Sequence, residues 1–321
     1  MMLWIYAGLG LVILLLAGDS LVRGAVNLSL RVGIPALIVS LTIVAFGTSA
    51  PELLIAISAV QDGAPGIALG NVVGSNTANV LLVLGIPALL ATLHTSECHT
   101  KKTFLFMMGA SVLFIALAFR GVFDLFAALI LLAALGAVLT DSFLHAKRHR
   151  REAKALALEE ADELEDLEGA DPDMPWWKII VFLVLGLVGL PLGAQLLVDS
   201  SIEIARMFGV SETVIGLTLV AVGTSLPELA TTVMAAIRRQ ADVALGNVIG
   251  SNMFNLLAII GIAALIGPIP VDPSFLRFDL WVMLGASLLL VPFVFLKFDI
   301  NRLWGVVLTA LYAAYVTVLL I

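Results

Sequence analysis

The chain has 321 residues, of which 61% are hydrophobic and 13% are charged, with a mean hydropathy of +1.10 and a formal net charge of −7. Soluble domains are typically about 45–50% apolar and about 25% charged, so this chain carries more apolar surface than a water-soluble fold can bury. The single cysteine, Cys98, excludes an internal disulfide, and no basic run suggests nucleic acid as a partner. Composition therefore predicts an integral membrane protein.

Ten apolar stretches are long enough to cross a bilayer, which takes about 17–25 residues. The first begins without the charged leader and small-residue cleavage pattern of a signal peptide, so we expect it to be retained as a membrane helix. Only a tight turn at Arg120-Gly121 separates spans four and five. The predicted spans lie near residues 3–24, 34–60, 66–92, 103–120, 121–141, 176–205, 211–237, 243–267, 278–296 and 302–321.

The distribution of basic residues predicts the orientation of the spans, because cytoplasmic loops are enriched in Lys and Arg. With the N-terminus outside, fourteen of the 17 basic residues fall in loops on the inner side. The N-terminus is therefore expected outside and the polar segment 142–175 in the cytoplasm. The three basic residues on the outer side are Arg120, Arg206 and Arg277.

The 142–175 segment is the one long polar stretch in the sequence. It begins with a basic run, from Lys147 to Lys154, and ends with an acidic run, from Glu159 to Glu168. We interpret it as a solvated connector whose basic end lies at anionic lipid head groups. A regulatory Ca²⁺ site in the acidic run is the alternative, although the spacing of an EF-hand is missing.

The two halves of the sequence repeat one another. A shift of 176 positions aligns residues 33–85 with 209–261 without a gap, and 23 of the 53 positions are identical. With five spans in each half, the second copy must face the opposite way, which is the inverted repeat of secondary transporters. We therefore predict an all-α integral membrane fold with ten transmembrane helices, as two inverted five-helix repeats (1–141 and 176–321) joined by a cytoplasmic linker (142–175).

Each copy carries Gly-Thr-Ser-x-Pro-Glu in the middle of an apolar span, in LTIVAFGTSAPEL and again in LTLVAVGTSLPEL. Proline lacks a backbone donor and clashes with the preceding turn, so each helix should break at its motif. The break is expected to leave the carbonyls of Ala45, Thr48, Ala221 and Thr224 without partners. At membrane depth, free carbonyls are tolerated only where a cavity or a bound cation satisfies them.

Glu52 and Glu228 directly follow the predicted breaks. A charged side chain at the bilayer centre costs at least about 2.5–3.5 kcal/mol, so two at matching positions need compensation. A cation between them supplies it, because two carboxylates neutralise one Ca²⁺, which takes about 6–8 oxygen ligands. The alternative is a pair of protonated, hydrogen-bonded carboxyl groups.

The helix after each break adds polar side chains at positions i, i+4 and i+8, which lie on one helical face. Together with the motif residues these side chains offer only oxygen ligands, so soft metals such as Zn²⁺ and Cu⁺ are disfavoured. Packing and interhelical hydrogen bonding are the alternative roles for Asn71, Asn76, Asn247 and Asn252. The two sets are Asn71, Ser75 and Asn79, and Asn247, Ser251 and Asn255.

Other charged and polar residues near the membrane rank lower as site candidates. Asp19 and Arg23 are spaced i, i+4 and are expected to pair with each other. Asp199 and Glu203 lie near the outer end of span six, where water is close. Gln195 is a minor candidate for a polar contact near the cavity.

The two GTS(A/L)PE motifs, each followed by ALGNV(V/I)GSN, resemble the alpha-repeats of the cation/calcium exchanger superfamily, particularly its prokaryotic sodium/calcium exchanger branch. The resemblance implies a secondary active antiporter, not an enzyme, in a prokaryotic inner membrane. It implies transported Ca²⁺ and Na⁺, no covalently bound cofactor, and alternating access in which spans one and six slide across an eight-helix core.

The resemblance also implies a set of ion ligands. Glu52 and Glu228 match the central acids, and Ala45 and Ala221 match carbonyl donors to Na⁺. The hydroxyl, carbonyl and amide ligands are matched by Thr48, Ser49, Thr224, Ser225, Ser75, Asn79, Ser251 and Asn255.

This sequence departs from some relatives, which carry Asp at the position matching Asn79 or Asn255. With Asn at both, the site has at most two fixed negative charges, which Ca²⁺ or two Na⁺ would neutralise and three Na⁺ would exceed. A Ca²⁺/H⁺ antiporter stays open as the alternative, since Glu52 and Glu228 can each take up a proton. An intramembrane hydrolase using Ser49 or Ser225 is disfavoured, because all four histidines lie in loops. The repeat within one chain argues against a channel.

Overall fold

The computed structural model describes residues 2–95, 98, 100–156, 171, 173–209 and 221–320. In that part of the chain, eight helices are long and apolar enough to cross a membrane, and nine if the bent pair Ala36–Thr48 and Ala50–Gln61 forms one span. The predicted span near 211–237 falls partly outside the described residues, and its final portion is the apolar helix Leu226–Ile237. The predicted all-α membrane fold is confirmed, with only two short strands among the described residues, and the count of ten spans stays a prediction.

The helices are numbered in chain order. A short helical turn, Ala221–Gly223, precedes α8. The helices are α1 (Met2–Val32), α2 (Ala36–Thr48), α3 (Ala50–Gln61), α4 (Pro65–Leu90), α5 (Lys101–Ala118), α6 (Leu125–Leu156), α7 (Trp176–Met207), α8 (Leu226–Ile237), α9 (Ala241–Ile266), α10 (Phe275–Phe295) and α11 (Arg302–Leu320).

The predicted division between spans four and five is confirmed. α5 ends at Ala118, Gly121 turns the chain with a φ of +79°, and α6 begins at Leu125. However, α6 continues past residue 141 to Leu156, so the first part of the predicted linker is helical. This part is rich in Ala, Lys and Arg, which favour helix. The acidic run of the linker lies outside the described residues.

The repeat extends from sequence into structure. α8 begins and ends 176 positions after α3, and α9 does the same relative to α4. The opposite direction of the halves is visible where α1 packs on α7. Gly10 of α1 lies against Leu197 of α7, since a Cβ added at Gly10 would be 2.7 Å from the Leu197 backbone nitrogen. Gly24 lies against Leu183, since a Cβ added at Gly24 would be 2.9 Å from the Leu183 backbone nitrogen. Residue numbers rise along α1 as they fall along α7, so these helices are antiparallel.

The two centres of the fold are α4 and α9. In each of these two helices, 83% of an apolar stretch of 18 residues is buried inside the protein, whereas the buried share is 17–44% in the other spanning helices. These are the helices that carry the predicted Asn and Ser positions. The remaining helices surround them and expose large apolar side chains, such as Trp4, Phe126 and Val184, as lipid-facing surface requires.

The two ends of the bundle differ in charge and in how their loops are joined. We call the end that carries Arg31, Lys101 and Arg238 the basic face. There, Leu93 pairs with Ile300 by backbone hydrogen bonds. At the other end, which we call the opposite face, β1 (Val122–Phe123) pairs antiparallel with β2 (Ile269–Pro270).

Candidate cation site

Both predicted helix breaks are present. α2 and α3 meet at Ser49 with a bend of 43°. Pro51, in the first turn of α3, has no N–H with which to continue the hydrogen-bond ladder of α2. The second break has the same form, because Ser49 and Ser225 leave helical geometry with ψ angles of 3° and 5°. Pro227 then lies in the first turn of α8.

One expected consequence of the break is wrong. The carbonyl of Ala45 keeps its partners, because it accepts hydrogen bonds from the Ser49 N–H at 3.0 Å and from the Thr48 hydroxyl at 3.2 Å. The last turn of α2 closes before the chain bends, so the break leaves this carbonyl inside regular helix. The roles of Ala45 and Ala221 as Na⁺ ligands stay predictions.

Glu52 and Glu228 lie in the first turns of α3 and α8, where the helix dipole and free N–H groups favour negative charge. Their side chains are 1% and 0% exposed. The Ser49 hydroxyl, three residues before Glu52 at the start of α3, donates to Glu228 Oε1 at 3.3 Å. The breaks therefore bring one acid from each half into a single buried site.

The motif threonines connect each half to the central helix of the other half. Thr48 Oγ1, from the first half, lies 3.3 Å from Asn247 Oδ1 and 3.4 Å from Ser251 Oγ on α9. Thr224 Oγ1, from the second half, donates to Asn71 Oδ1 on α4 at 3.3 Å. The contact between a motif threonine and an asparagine of the other half's central helix is thus made twice, once from each half.

Other asparagines hold the two central helices together. Asn76 Nδ2 donates to the Asn252 carbonyl at 3.2 Å, and Asn252 Nδ2 reaches the Asn76 carbonyl at 3.4 Å. Asn79 Nδ2 also donates to Asn252 Oδ1, at 3.0 Å. The packing role considered for Asn76 and Asn252 therefore agrees with the structure. The side-chain oxygen of Asn79, Oδ1, has no hydrogen-bond partner.

Several buried oxygen atoms of the predicted ligands have no hydrogen-bond partner in the structure. A buried polar atom left without a partner costs about 1–3 kcal/mol, so a cluster of them implies a missing partner. Apart from the Nδ2 atoms of Asn71 and Asn255, the unpartnered atoms of these residues are oxygens, and carboxylate oxygens are among them, so the fitting partner is a hard cation. These oxygens are both Oε atoms of Glu52, Oε2 of Glu228, the hydroxyls of Ser75 and Ser225, and the Oδ1 atoms of Asn79 and Asn255.

A cavity of about 520 Å³ leads from the opposite face towards the site. It lies between α7 and the two motifs, so both broken helices form its wall. Gln195 lines this cavity, as predicted, and so does Asp199, one turn further along α7. The motif residues in its wall are Gly47, Ala50, Pro51, Gly223, Thr224 and Pro227. The cavity therefore borders both motifs on the side of the opposite face, while Glu52 and Glu228 themselves are buried.

The family model described as "Sodium/calcium exchanger protein" matches residues 2–143 and 178–321, which are the two repeats without most of the linker. The chain belongs to the sodium/calcium exchanger family. Among curated relatives of this exchanger, the putative antiporter CaxA of Alkalimonas amylolytica is 36% identical over 97% of this chain and 96% of its own. The sodium/calcium exchanger MaX1 of Methanosarcina acetivorans is 37% identical over the same shares.

Solved structures of the sodium-calcium exchanger NCX_Mj have the same fold as this exchanger. One, soaked with 2.5 mM Na⁺ and 1 mM Sr²⁺, has a TM-score of 0.81 and 29% identity, and covers 99% of this chain and 98% of its own. Another, soaked with zero Na⁺ and Ca²⁺, also has a TM-score of 0.81, with 97% of each chain covered. The likeness spans both repeats, so the inverted-repeat architecture predicted from sequence is that of a known exchanger.

Sequence reasoning missed two features that shape the exchanger's site. A π-helical turn, Ser40–Val44, interrupts α2 just before the first motif, and another, Phe254–Ile259, interrupts α9. Asn255 lies in the second, so the wider turn sets where its side chain points. Such turns are frequent at functional sites. Neither contains Pro or Gly, so no local signal in the sequence could have predicted them.

Proposed function

We propose that this exchanger is a secondary active antiporter that exchanges Ca²⁺ for Na⁺ by alternating access, through the site between Glu52 and Glu228. The observation that carries the proposal is the cluster of buried oxygen atoms without hydrogen-bond partners around two buried acids. Hard cations bind such oxygen sets, and two carboxylates match the charge of one Ca²⁺. The relatives MaX1 and NCX_Mj, both named as sodium/calcium exchangers, support this substrate pair.

The proposed ligand set keeps the symmetry of the repeats. Glu52 and Glu228 provide the charge, and the hydroxyl and amide oxygens from both halves complete the coordination of Ca²⁺ or hold Na⁺. The neutral ligands proposed are the side chains of Thr48, Ser49, Ser75, Asn79, Thr224, Ser225, Ser251 and Asn255, and the carbonyls of Ala45 and Ala221.

We place the basic face in the cytoplasm and the N-terminus outside, in the cytoplasmic membrane of a prokaryote. The enrichment of Lys and Arg at the basic face supports this orientation. In this orientation the 520 Å³ cavity opens to the outside, and α6 carries its basic C-terminal turns into the cytoplasm.

Na⁺ coupling is favoured over H⁺ coupling by the neutral ligands. In a Ca²⁺/H⁺ antiporter, Glu52 and Glu228 would exchange one Ca²⁺ for two protons, and the neutral oxygens would have a ligand only while Ca²⁺ is bound. Ser75 and Asn79 have side-chain oxygens without hydrogen-bond partners, and their helix, α4, carries no acid. Such neutral oxygens can coordinate Na⁺, whereas a proton binds to a carboxylate.

The deciding experiment is uptake of radioactive Ca²⁺ into proteoliposomes under separately imposed Na⁺, K⁺ and pH gradients. We expect an outward Na⁺ gradient to drive uptake, and K⁺ and pH gradients of the same size to leave it at background. Uptake driven by the pH gradient in Na⁺-free solution would instead establish the Ca²⁺/H⁺ alternative. No uptake under any gradient, from protein that is folded and reconstituted, would contradict Ca²⁺ exchange.

Charge balance makes a second prediction for the same vesicles. With Asn at positions 79 and 255, the site holds two fixed negative charges, which one Ca²⁺ or two Na⁺ neutralise. Exchange of two Na⁺ for one Ca²⁺ moves no net charge, so we expect the rate of Na⁺-driven uptake to be the same at zero and at about ±100 mV of membrane potential. A rate that changes with potential would show that a third Na⁺ moves in each cycle.

A further inference from the structure

The inverted repeats make it possible to compare the two faces residue by residue. On the opposite face, Leu54 of α3 and Ala194 of α7 both line the 520 Å³ cavity, and Leu54 is 67% exposed. The shift of 176 positions relates them to Ala230 of α8 and Gly18 of α1. There the helices touch, because a Cβ on Gly18 would lie 3.0 Å from the Ala230 carbonyl carbon, and Ala230 is 6% exposed. The same pair of positions is therefore apart on one face and in contact on the other.

An ion pair reinforces the contact on the basic face. Asp19, the residue after Gly18, pairs through Oδ1 with Nε of Arg238, directly after α8, and lies 3.0 Å through Oδ2 from Nε of Arg23. The side chains of Asp19 and Arg238 are only 19% and 14% exposed. Screening by water is weak at such exposure, so this pair is stronger than one on the surface. It connects α1 to the C-terminal end of α8, the helix that carries Glu228 in its first turn.

The opposite face lacks the residues for an equivalent ion pair. The shift of 176 positions places Gln195, Asp199 and Asp62 where Asp19, Arg23 and Arg238 stand. The first is neutral and the other two are both acidic. Among the described residues no salt bridge joins α7 to α3, and Asp62 instead accepts a hydrogen bond from Ser58 at 3.0 Å. Closure of α7 on α3 would gain no attraction and would bring two acids to one side.

We propose that the Asp19–Arg238 ion pair is a latch that closes the basic face and holds the ion-free exchanger open at the opposite face. The proposal rests on the alternating access proposed above, since each opening of the basic face must break the pair. Because no ion pair replaces it when the opposite face closes, the two states are unequal in energy before any ion binds. The latch therefore sets the resting position of the transport cycle.

The test uses a thiol that only the open basic face exposes. In a Cys98→Ala background, which removes the single native cysteine, Ala230→Cys is labelled with a maleimide in detergent, without Na⁺ or Ca²⁺. The thiol is buried while α1 covers it, so its labelling rate reports the population of the open basic face. We expect the double variant Asp19→Asn/Arg238→Gln to raise this rate by about fivefold or more, the low end of typical coupling between two states.

Three comparisons make the result specific. Because the paired residues act as a unit, Asp19→Asn and Arg238→Gln alone should each give about the same rise as the double variant. Arg31→Gln, an exposed basic residue at the end of α1, should give none. Leu54→Cys, in the open cavity, should label fast in the latched protein and no faster in the double variant.

An unchanged labelling rate of Ala230→Cys in all three latch variants would overturn the proposal. Leu226→Cys, at the position that matches Ala50 in the cavity wall, serves as a second reporter if a thiol at 230 disturbs the contact with Gly18. The double variant removes both charges of the latch, and Arg23, which also loses Asp19, is 41% exposed and can be solvated. The variant should therefore fold, and a single peak in size-exclusion chromatography checks this. The experiment uses no ion gradient, so its outcome is independent of whether Na⁺ or H⁺ drives Ca²⁺ transport.

Discussion

At the scale of single residues, the two central acids have different surroundings despite their matching positions. Glu228 Oε1 lies within 3.3 Å of the Ser49 hydroxyl and 3.5 Å of the Ser251 hydroxyl. Both oxygens of Glu52 lack a hydrogen-bond partner, and so does the hydroxyl of Ser225, the counterpart of Ser49. In the proposed site, Glu52 therefore depends more on the cation for compensation of its charge than Glu228 does.

Replacement of either acid should remove the effect of Ca²⁺ on stability. At about 100 times its Kd, a ligand that binds only the folded protein adds about 2.7 kcal/mol to the free energy of unfolding. We expect this Ca²⁺-dependent rise in Tm in the wild type, and its loss in Glu52→Gln and Glu228→Gln, with transport abolished in both.

Glu203→Gln is the matched control for this test, since Glu203 is an exposed acid paired with Arg206 at 2.6 Å and away from the site. It should keep the full rise in Tm with Ca²⁺. The central-site hypothesis fails if the double variant Glu52→Gln/Glu228→Gln retains Ca²⁺ uptake at the wild-type rate.

Asn255→Asp should change ion dependence, because it adds a third negative charge beside the two acids. Asn255 is 0% exposed, and neither of its side-chain polar atoms has a hydrogen-bond partner. We expect tighter Ca²⁺ binding or a Na⁺-driven uptake rate that becomes sensitive to membrane potential. Both are measured in the vesicle assay. Identical ion and voltage dependence in this variant would mean that Asn255 is not a ligand.

At the scale of helices, the pairing of α1 with α7 depends on glycines that let the two backbones touch. A Cβ added at Gly186 would lie 2.5 Å from the Leu21 Cβ and 2.8 Å from its Cα. Contacts this short cannot be relieved by a side-chain rotation, because backbone atoms are involved. The two helices must therefore separate to admit even one methyl group.

Gly186→Ala should accordingly destabilise the protein by about 1–3 kcal/mol, as overpacking of a close interface does. Gly8→Ala on α1 is the matched control, since nothing lies within 4 Å of a Cβ at that position. In a thermal unfolding series in detergent, we expect a lower Tm for the first variant and an equal or higher Tm for the second. Equal Tm values for the two variants would contradict tight packing of α1 on α7.

Helix-level features were predictable where their cause is local. The breaks at Pro51 and Pro227 follow from the missing N–H of proline, and the pairing of Asp19 with Arg23 follows from their i, i+4 spacing. The partnership of Asp19 with Arg238 was not predictable, because it joins residues 219 positions apart. The reciprocal contacts of Asn76 and Asn252 likewise depend on how closely α4 and α9 approach.

At the scale of the whole molecule, the internal repeat carried most of the information. An odd number of spans per half predicted the inversion, and the antiparallel contact of α1 with α7 agrees with it. What the repeat could not predict is the asymmetry between faces, since identical motifs imply equivalent faces. The cavity beside α7 and the closed contact of Gly18 with Ala230 belong to one conformation of the chain.

The exchanged contacts of Thr48 with Asn247, and of Thr224 with Asn71, have a consequence for any attempt to divide the chain. Each half supplies only part of the proposed coordination shell and depends on the other half to position the rest. Residues 1–156 made alone would present one acid and an incomplete set of oxygens to the lipid. Co-expressed as two fragments, the halves should recover Ca²⁺ binding only where they assemble with each other.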